Sequence, residues 1–305
     1  MVDRRQPLLL IPLLFAFTLS AACASSSNKS AQPEKATLIA EPPLEPLGKL
    51  LADLDVQIQR WNALTLTATT PAHKREARML EAVIVETSSR RRDELIAALE
   101  SGPPINRIRA AGALGFTRAI EAQSPLLAAL HDPHPDVVHN ALMSLSLLGR
   151  ADTPVDEICA LMADHSDPQT RGQAAYALRS ILAAGATSQV AVGVARRGLN
   201  DTEPFVRSQS ALSLGLLKDG ASTPVLLDRL YDPVPLVADA ASEALVAIAF
   251  GEPQNKGAIA RGFVEASTRS DALVKRRAQN ALVRLSDVNY GDDLKLWTEW
   301  AQRLP

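Results

Sequence analysis

A leucine-bearing segment that recurs along the chain constrains the fold most. Its best-formed copy is DTEPFVRSQSALSLGLL, residues 201–217, in which a turn precedes a proline suited to the first position of a helix. Small residues at Ala211 and Gly215 would let a second helix approach closely. Apolar or small side chains then fall three or four residues apart on one helical face: Val206, Ser210, Leu214 and Leu217.

Five further segments align with this one on the leucine at position 214. They are NRIRAAGAL, PDVVHNALMSL, QTRGQAAYAL, LVADAASEAL and LVKRRAQNAL, and the aligned leucines are Leu114, Leu145, Leu178, Leu214, Leu245 and Leu282. The intervals between them are 31, 33, 36, 31 and 37 residues. A period of this length predicts an array of helix pairs that bury their apolar faces against their neighbours.

The repeat frame predicts the position of each helix. First helices are expected near residues 104–115, 135–148, 169–184, 204–217, 235–250 and 272–286. Second helices are expected near 119–130, 154–164, 188–198, 222–231, 256–268 and 292–303. An atypical helix pair, 74–87 and 92–100, precedes them, and an amphipathic helix at 47–64 is expected to cover the open end of the array. Trp297 and Trp300 indicate a closing cap at the other end.

The recurring residues resemble the HEAT-like repeat of the type named after phycobilisome lyases. The loose pattern of that repeat is Asp-x-x-x-x-Val-Arg-x-x-Ala-Ala-x-Ala-Leu-Gly. Arg207 and Lys275 occupy its basic position, Arg171 and Arg107 do so more loosely, and Val138 and Ala238 depart from it. Over residues 93–303, the resemblance implies an all-α, right-handed solenoid of about six to seven HEAT-like helix pairs. It implies little about function, because the family contains scaffolds, adaptors and a few lyases.

The first 22 residues have the three zones of an export signal. Arg4 and Arg5 precede an apolar run from Leu8 to Leu19, which is too short to cross a bilayer, and small residues follow at 20–22. The general secretory route is expected, with cleavage between Ala22 and Cys23.

The residues around Cys23 resemble the bacterial lipoprotein box, with Leu19-Ser20-Ala21-Ala22 before the cysteine. The resemblance implies a diacylglyceryl group on the Cys23 sulfur and an acylated amino terminus, which together would anchor the protein durably. Ala24, rather than aspartate, favours the outer membrane, with the protein facing the periplasm. An ordinary secreted protein is the alternative.

Four segments are therefore predicted. Residues 1–22 form a signal peptide, and 23–46 comprise the lipidated cysteine and a tether rich in Ser, Pro and Glu. Residues 47–73 form the N-terminal capping helix and a linker, and 74–305 form the repeat solenoid. The net charge of −2 argues against a nucleic-acid partner.

Three sets of residues could carry chemistry, and each has a structural explanation. Five aspartates recur at equivalent turns and could attract a cation, but short carboxylates also accept N–H bonds from turns and helix starts: Asp132, Asp167, Asp201, Asp232 and Asp271. Four histidines could ligate zinc or copper, although surface histidines without a shared metal are favoured: His131, His134, His139 and His165. Cys159 lies on an apolar helix face and is expected to be a buried, inert thiol.

Charge distribution suggests where a partner would bind. Residues 199–253 carry a net charge of −5 and residues 255–285 a net charge of +5. Basic side chains on or just after the second helices form a candidate binding stripe for an acidic partner: Arg196, Arg197, Arg229, Lys256, Arg261 and Arg269. Ordinary solvated helix faces are the alternative explanation.

The sequence therefore predicts a lipid-anchored scaffold of the bacterial cell envelope that binds protein partners, and neither a cofactor nor catalytic residues. The competing hypotheses are a lyase-like or metal-dependent enzyme and a ligand-binding lipoprotein, each using the concave groove.

Overall fold

The computed structural model describes residues 45–67 and 69–305. Within these ranges the regular structure is helical, without β-strands. The α-helices are α1 (Leu47–Thr67), α2 (Pro71–Arg90), α3 (Arg92–Ser101), α4 (Pro104–Leu114), α5 (Gln123–Ala128), α6 (Pro135–Leu148), α7 (Asp156–Asp164), α8 (Pro168–Ala183), α9 (Gln189–Gly198), α10 (Pro204–Leu216), α11 (Thr223–Arg229), α12 (Pro235–Gly251), α13 (Lys256–Ser267), α14 (Ala272–Ser286) and α15 (Leu294–Gln302).

The six predicted first helices, α4 to α14 with even numbers, begin and end within one residue of the expected positions. Five of them start at a proline, whose fixed φ suits the first helical position and whose missing N–H would have no partner there. The second helices α5 and α11 are shorter than predicted. Single turns of 3-10 helix take up the difference at Ile120–Ala122, Ala129–His131 and Gly220–Ser222.

The helices stack as the leucine period predicts. Each first helix packs against the next first helix, and each second helix before α15 packs against the first helix that follows it. All six aligned leucines, Leu114 to Leu282, are completely buried. Burial of one leucine side chain stabilises a fold by about 1.5 to 3 kcal/mol, so these positions are a main source of cohesion between layers. The fold is an all-α solenoid.

Glycine and alanine let neighbouring first helices come close together. A Cβ added at Gly115 would lie 2.6 Å from the Cα of Ser144, and one added at Gly215 would lie 2.7 Å from the Cα of Ala244. Both distances are too short for real atoms. The small residues of the repeat are therefore required by backbone approach between layers.

The N-terminal end differs from the arrangement that the repeat frame suggests. There α1, more than α2, packs beside α4, in the position that a first helix would take. The reason is that α1 offers the larger apolar face, with Leu50, Leu51 and Leu54 buried, and with the Trp61 ring 5.1 Å from that of Phe116. Arg91 holds the start of α1 in place, because its guanidinium donates to the Glu45 carbonyl at 3.0 Å. The same guanidinium pairs with Glu94.

At the other end, Trp297 on α15 is fully buried between two aromatic neighbours. Its ring lies 4.8 Å from Tyr290 and 5.9 Å from Trp300, both edge to face. The indole Nε1–H donates to the Gly291 carbonyl at 3.0 Å, so the buried polar atom is satisfied. Trp297 thus helps to hold α15 against α13 and completes the packed core.

Candidate functional site

Three arginines on first helices reach the aspartate that begins the next repeat. In each pair the Nε and Nη2 atoms face the two carboxylate oxygens: Arg107 and Asp132 at 2.7 and 3.0 Å, Arg171 and Asp201 at 2.9 and 3.0 Å, and Arg207 and Asp232 at 2.9 and 3.0 Å. Planar, two-point pairs of this kind are strong and directional. We call these three pairs the arginine–aspartate ladder.

The ladder ties each arginine to its own repeat as well. The Nη1 of Arg107 donates to the Gly102 carbonyl at 3.1 Å, that of Arg171 to the His165 carbonyl at 3.1 Å, and that of Arg207 to the Asp201 carbonyl at 2.9 Å. One guanidinium therefore joins the turn before its helix to the turn of the following repeat. These charged side chains therefore have a structural role.

The ladder lowers the pKa values of its three carboxylates. The Arg107 guanidinium holds the pKa of Asp132 below its usual value. Burial alone would raise the pKa of Asp201 and of Asp232, but the bonds from Arg171 and Arg207 and from the backbone outweigh burial and lower both pKa values. All three carboxylates are therefore held in the charged form that the ladder needs.

Where the repeat departs from the basic residue, the ladder is missing. Val138 and Ala238 stand in its place, and the following aspartates bind their own helices instead. Asp167 accepts from the N–H of Thr170 at 2.8 Å, and Asp271 accepts from the N–H of Leu273 at 2.8 Å. The joint between α6 and α8 thus lacks an arginine bridge. Helices α12 and α14 are bridged differently, by Arg277 with Asp239 at 2.7 Å and by Arg284 with Glu243 at 2.5 Å.

The structure confirms the expectation that the five aspartates accept N–H bonds in turns and at helix starts. Those in the ladder also accept from the residue two positions on: His134 for Asp132, Glu203 for Asp201 and Val234 for Asp232. Sequence reasoning missed the arginine bridges, although the signal was present. Each bridging arginine occupies the basic position of its repeat, and its aspartate follows 25 or 30 residues later.

Each of the four histidines has its own neighbour. His134 and His165 accept through Nδ1 from the N–H groups of Asp136 and Asp167 at 3.3 and 3.1 Å. His139 Nε2 lies 2.9 Å from the Thr170 hydroxyl. The exposed His131 lies 3.7 Å from a carboxylate oxygen of Glu157.

No shared metal position is formed by these side chains. Across residues 45–67 and 69–305, no three His, Cys, Asp or Glu side chains are grouped so that they could hold a metal ion. The ring nitrogens of His134 and His165 that face the protein are engaged with backbone N–H groups. These two side chains therefore have a local role at the starts of their repeats.

Cys159 lies on the buried face of α7, as its spacing predicts. The residue is 1% exposed, and burial, with a smaller contribution from Asp156, raises the pKa of its thiol to about 11. A thiol of this kind is a poor nucleophile at neutral pH.

The candidate basic stripe divides into two groups. Arg197, Arg229 and Arg269 lie at or just after the C-terminal ends of α9, α11 and α13. Two contacts join these ends. Arg229 donates to the Asn200 side chain at 2.5 Å, and the Arg269 guanidinium lies 4.9 Å from the centre of the Tyr231 ring. We call these three arginines the C-terminal-end patch.

The other three basic residues are placed differently. Arg196 is bound by both carboxylate oxygens of Asp219, at 2.8 and 2.5 Å, and this pairing lowers the pKa of Asp219. Lys256 begins α13, about 20 Å along the helix from Arg269 at 1.5 Å per residue. Arg261 lies within 3.5 Å of the Ala301 carbonyl of α15. The six predicted residues therefore do not form one continuous surface.

Cys23 and Ala22, the predicted lipidation and cleavage residues, lie outside the described residues. Among helices α1 to α15, none combines the length and the apolar character needed to cross a bilayer.

Comparison with known proteins defines the class. A family model for HEAT repeats matches residues 92–179 and again 155–246, which together span about half of the chain. No curated protein matches the chain in sequence.

Several solved structures are similar to the chain at low sequence identity, and the first of those below shares its fold. The karyopherin Kap121p bound to Ste12p is 12% identical, with a TM-score of 0.57 over 85% of this chain and 31% of that one. An engineered protein is 19% identical, with a TM-score of 0.48 over 85% of this chain and 75% of that one. The complex of CpcE and CpcF of phycocyanin lyase from Nostoc sp. PCC7120 is 20% identical, with a TM-score of 0.41 over 84% of this chain and all of that one.

Stacked helix pairs joined by the ladder define an α-solenoid, a class of helical scaffold suited to protein interaction. Within that class, the chain belongs to the HEAT-repeat family.

Proposed function

We propose that the protein is a lipid-anchored scaffold of the bacterial cell envelope that binds protein partners along its helical stack. The observation that carries the scaffold part is the complete burial of the six aligned leucines, Leu114 to Leu282. Layers that shield one another in this way leave a long surface free for a partner. The anchor rests on the lipoprotein box that ends at Cys23.

The lipid would attach the protein to the outer membrane, facing the periplasm. Two or more acyl chains give stable membrane attachment, whereas one gives only marginal binding. Residues 24–46 would connect Cys23 to α1, and 23 residues can span at most about 80 Å, so the solenoid would stay close to the membrane while it meets its partner.

The anchor is tested by the substitution Cys23→Ser in cells. The parent protein should be labelled by a radioactive fatty acid and sediment with membranes, and the variant should lose the label. A variant that keeps the label would overturn the anchor.

The C-terminal-end patch is the part of the basic stripe best placed to meet an acidic partner, because Arg197, Arg229 and Arg269 lie on connected helix ends. Crosslinking in cells, followed by purification, should recover partners with the parent protein. The double substitution Arg197→Glu with Arg269→Glu should reduce that recovery.

A matched control is Lys256→Glu with Arg261→Glu, which changes the charge equally at a separate location. Equal loss with both pairs would indicate a general charge effect. Unchanged recovery with the first pair would remove the patch from the proposal.

A further inference from the structure

The second helix of the chain has an apolar face that no part of the described structure covers. On α2 only Ala77, Ile84 and Ser88 are buried, whereas Met79 is 71% and Val83 47% exposed. A groove of about 400 Å³ runs along this face beside α1, and its lining is mostly apolar: Arg60, Ala72, Arg75, Glu76, Met79, Leu80 and Val83. Because α1 takes the position beside α4, α2 lies outside the regular stack.

Basic side chains border this face without acidic partners. Lys74, Arg75 and Arg78 are exposed, and in the part of the chain that the structure describes none of them forms an ion pair. The acidic residues of α2 are engaged elsewhere: Glu76 pairs with Arg60, Glu81 with Arg118 at 3.0 Å, and Glu86 with Arg90 at 2.7 Å. The face is therefore apolar along its centre and positively charged at its edge.

The position of α2 in the chain suggests what covers it. Helix α1 begins at Leu47 and α2 runs beside it, so both lie at the end of the solenoid where the tether from Cys23 arrives. Because 23 residues can span at most about 80 Å, an anchor at Cys23 would keep this end of the solenoid near the membrane surface.

Resting on the anchor proposed above, we propose that the exposed face of α2 lies on an anionic phospholipid surface. Met79 and Val83 enter the region between headgroups and acyl chains, and Lys74, Arg75 and Arg78 meet the lipid phosphates. A helix with apolar residues on one face and lysine or arginine beside them is suited to this interfacial position.

The expected affinity follows from charge and tethering. Each basic residue near an anionic membrane surface increases partitioning about fivefold, so three increase it about a hundredfold. The tether supplies an effective concentration on the order of millimolar, so even weak partitioning is enough to hold the helix on the surface. The solenoid is then oriented relative to the membrane as well as attached to it.

Vesicle sedimentation with the chain from residue 24 tests the proposal. This chain contains all the residues that the structure describes, whose buried core runs from Leu50 to Ala301. It should bind vesicles of phosphatidylethanolamine with phosphatidylglycerol at least about tenfold better than vesicles of phosphatidylcholine. Substitution of Lys74, Arg75 and Arg78 by Gln should weaken this binding about a hundredfold, and Met79→Gln with Val83→Gln about tenfold or more.

A matched control uses exposed leucines elsewhere in the stack. Leu236 and Leu273 are both 51% exposed, and Leu236→Gln with Leu273→Gln should leave vesicle binding unchanged. Circular dichroism melting curves check that each variant is folded.

Several outcomes would overturn the proposal. One is a parent chain that does not bind anionic vesicles, and another is binding that survives both sets of α2 substitutions. A third would come from light scattering, if the parent chain were a dimer and the variant Met79→Gln with Val83→Gln were a monomer. The exposed face of α2 would then bind a second copy of the chain.

The vesicle experiment is independent of the anchor, because the chain from residue 24 lacks Cys23. Vesicle binding combined with an unlabelled full-length protein would refute only the anchor. Fatty-acid labelling in cells combined with absent vesicle binding would refute only the role of α2.

Discussion

Loss of Arg207 should destabilise the solenoid more than loss of any exposed ion pair. The Arg207 side chain is 12% exposed, and its partner Asp232 is only 2% exposed. The substitution Arg207→Leu leaves that carboxylate buried with the Val234 N–H as its remaining donor, at 3.0 Å. Breaking a buried pair by removing one partner costs about 3 to 5 kcal/mol. Since Arg207 is not completely buried, we expect about 3 kcal/mol.

The second substitution, Asp232→Asn, should rescue part of this loss. An asparagine in place of the carboxylate has no charge to bury, and its side-chain oxygen can still accept from the Val234 N–H. The double variant should therefore be more stable than the sum of the two single losses predicts. The difference is the coupling energy between the two side chains.

The stability lost in the Arg207→Leu variant should also depend on pH. Because the folded pKa of Asp232 lies below its ordinary value, the pair stabilises the fold above about pH 4 and ceases to do so as pH falls through the folded pKa. Without Arg207, burial raises the pKa of the Asp232 carboxyl, so in the variant this carboxyl binds a proton at a higher pH than in the parent. The gap in stability between parent and variant should shrink as pH is lowered from 7 towards 4.

Urea denaturation followed by far-UV circular dichroism measures these differences. The control is Arg277→Leu, since Arg277 pairs at 2.7 Å with Asp239, which is 66% exposed. Arg277 is 12% exposed like Arg207, but Asp239 stays in contact with water when its partner is removed, so this loss should cost only about 0 to 1 kcal/mol. If Arg207→Leu costs no more than Arg277→Leu, or if its cost does not change with pH, the ladder is not a stabilising element.

Two further outcomes are expected. Leu214→Ala should lower the free energy of unfolding by about 2 to 5 kcal/mol, because the side chain is completely buried between layers. If the variant unfolds at the same temperature as the parent, the assigned register is wrong. Cys159 should react with a thiol reagent at pH 8 at least about a hundredfold more slowly in the native chain from residue 24 than in urea, since burial raises its pKa to about 11. Equal rates would show that the thiol is accessible.

The solenoid could be predicted because its stability is local. Each repeat must bury the same stripe against its neighbours, so the stripe recurs in the sequence, and Leu114 to Leu282 are all buried as the period requires. Prolines at the helix starts placed the boundaries within one residue. The boundaries of the short second helices α5 and α11 were harder to predict, because turns of 3-10 helix and α-helix have similar local sequence preferences.

The N-terminal end could not be predicted from the repeat, because no repeat residue specifies which helix lies beside α4. That choice depends on the size of competing apolar faces, and α1 provides Leu50, Leu51 and Leu54. The arginine–aspartate ladder was also missed, since each bond joins residues far apart in sequence. The lipid anchor and the partner stay predictions, because Cys23 lies outside the described residues and a partner leaves no period in the sequence.

The joint between α6 and α8, where no arginine pair connects the layers, divides the stack mechanically. At Val138, α6 and α8 are held by packing and by the hydrogen bond between His139 and Thr170. In contrast, the ladder joins α8, α10 and α12 in succession, and Arg277 and Arg284 join α14 to α12. Side chains in van der Waals contact can slide, but a two-point pair resists shear because its geometry is directional. Elastic deformation should therefore concentrate at the joint between α6 and α8, with α8 to α14 moving as a stiff section. Such a protein could adjust its curvature to a partner without disturbing the layers inside that section.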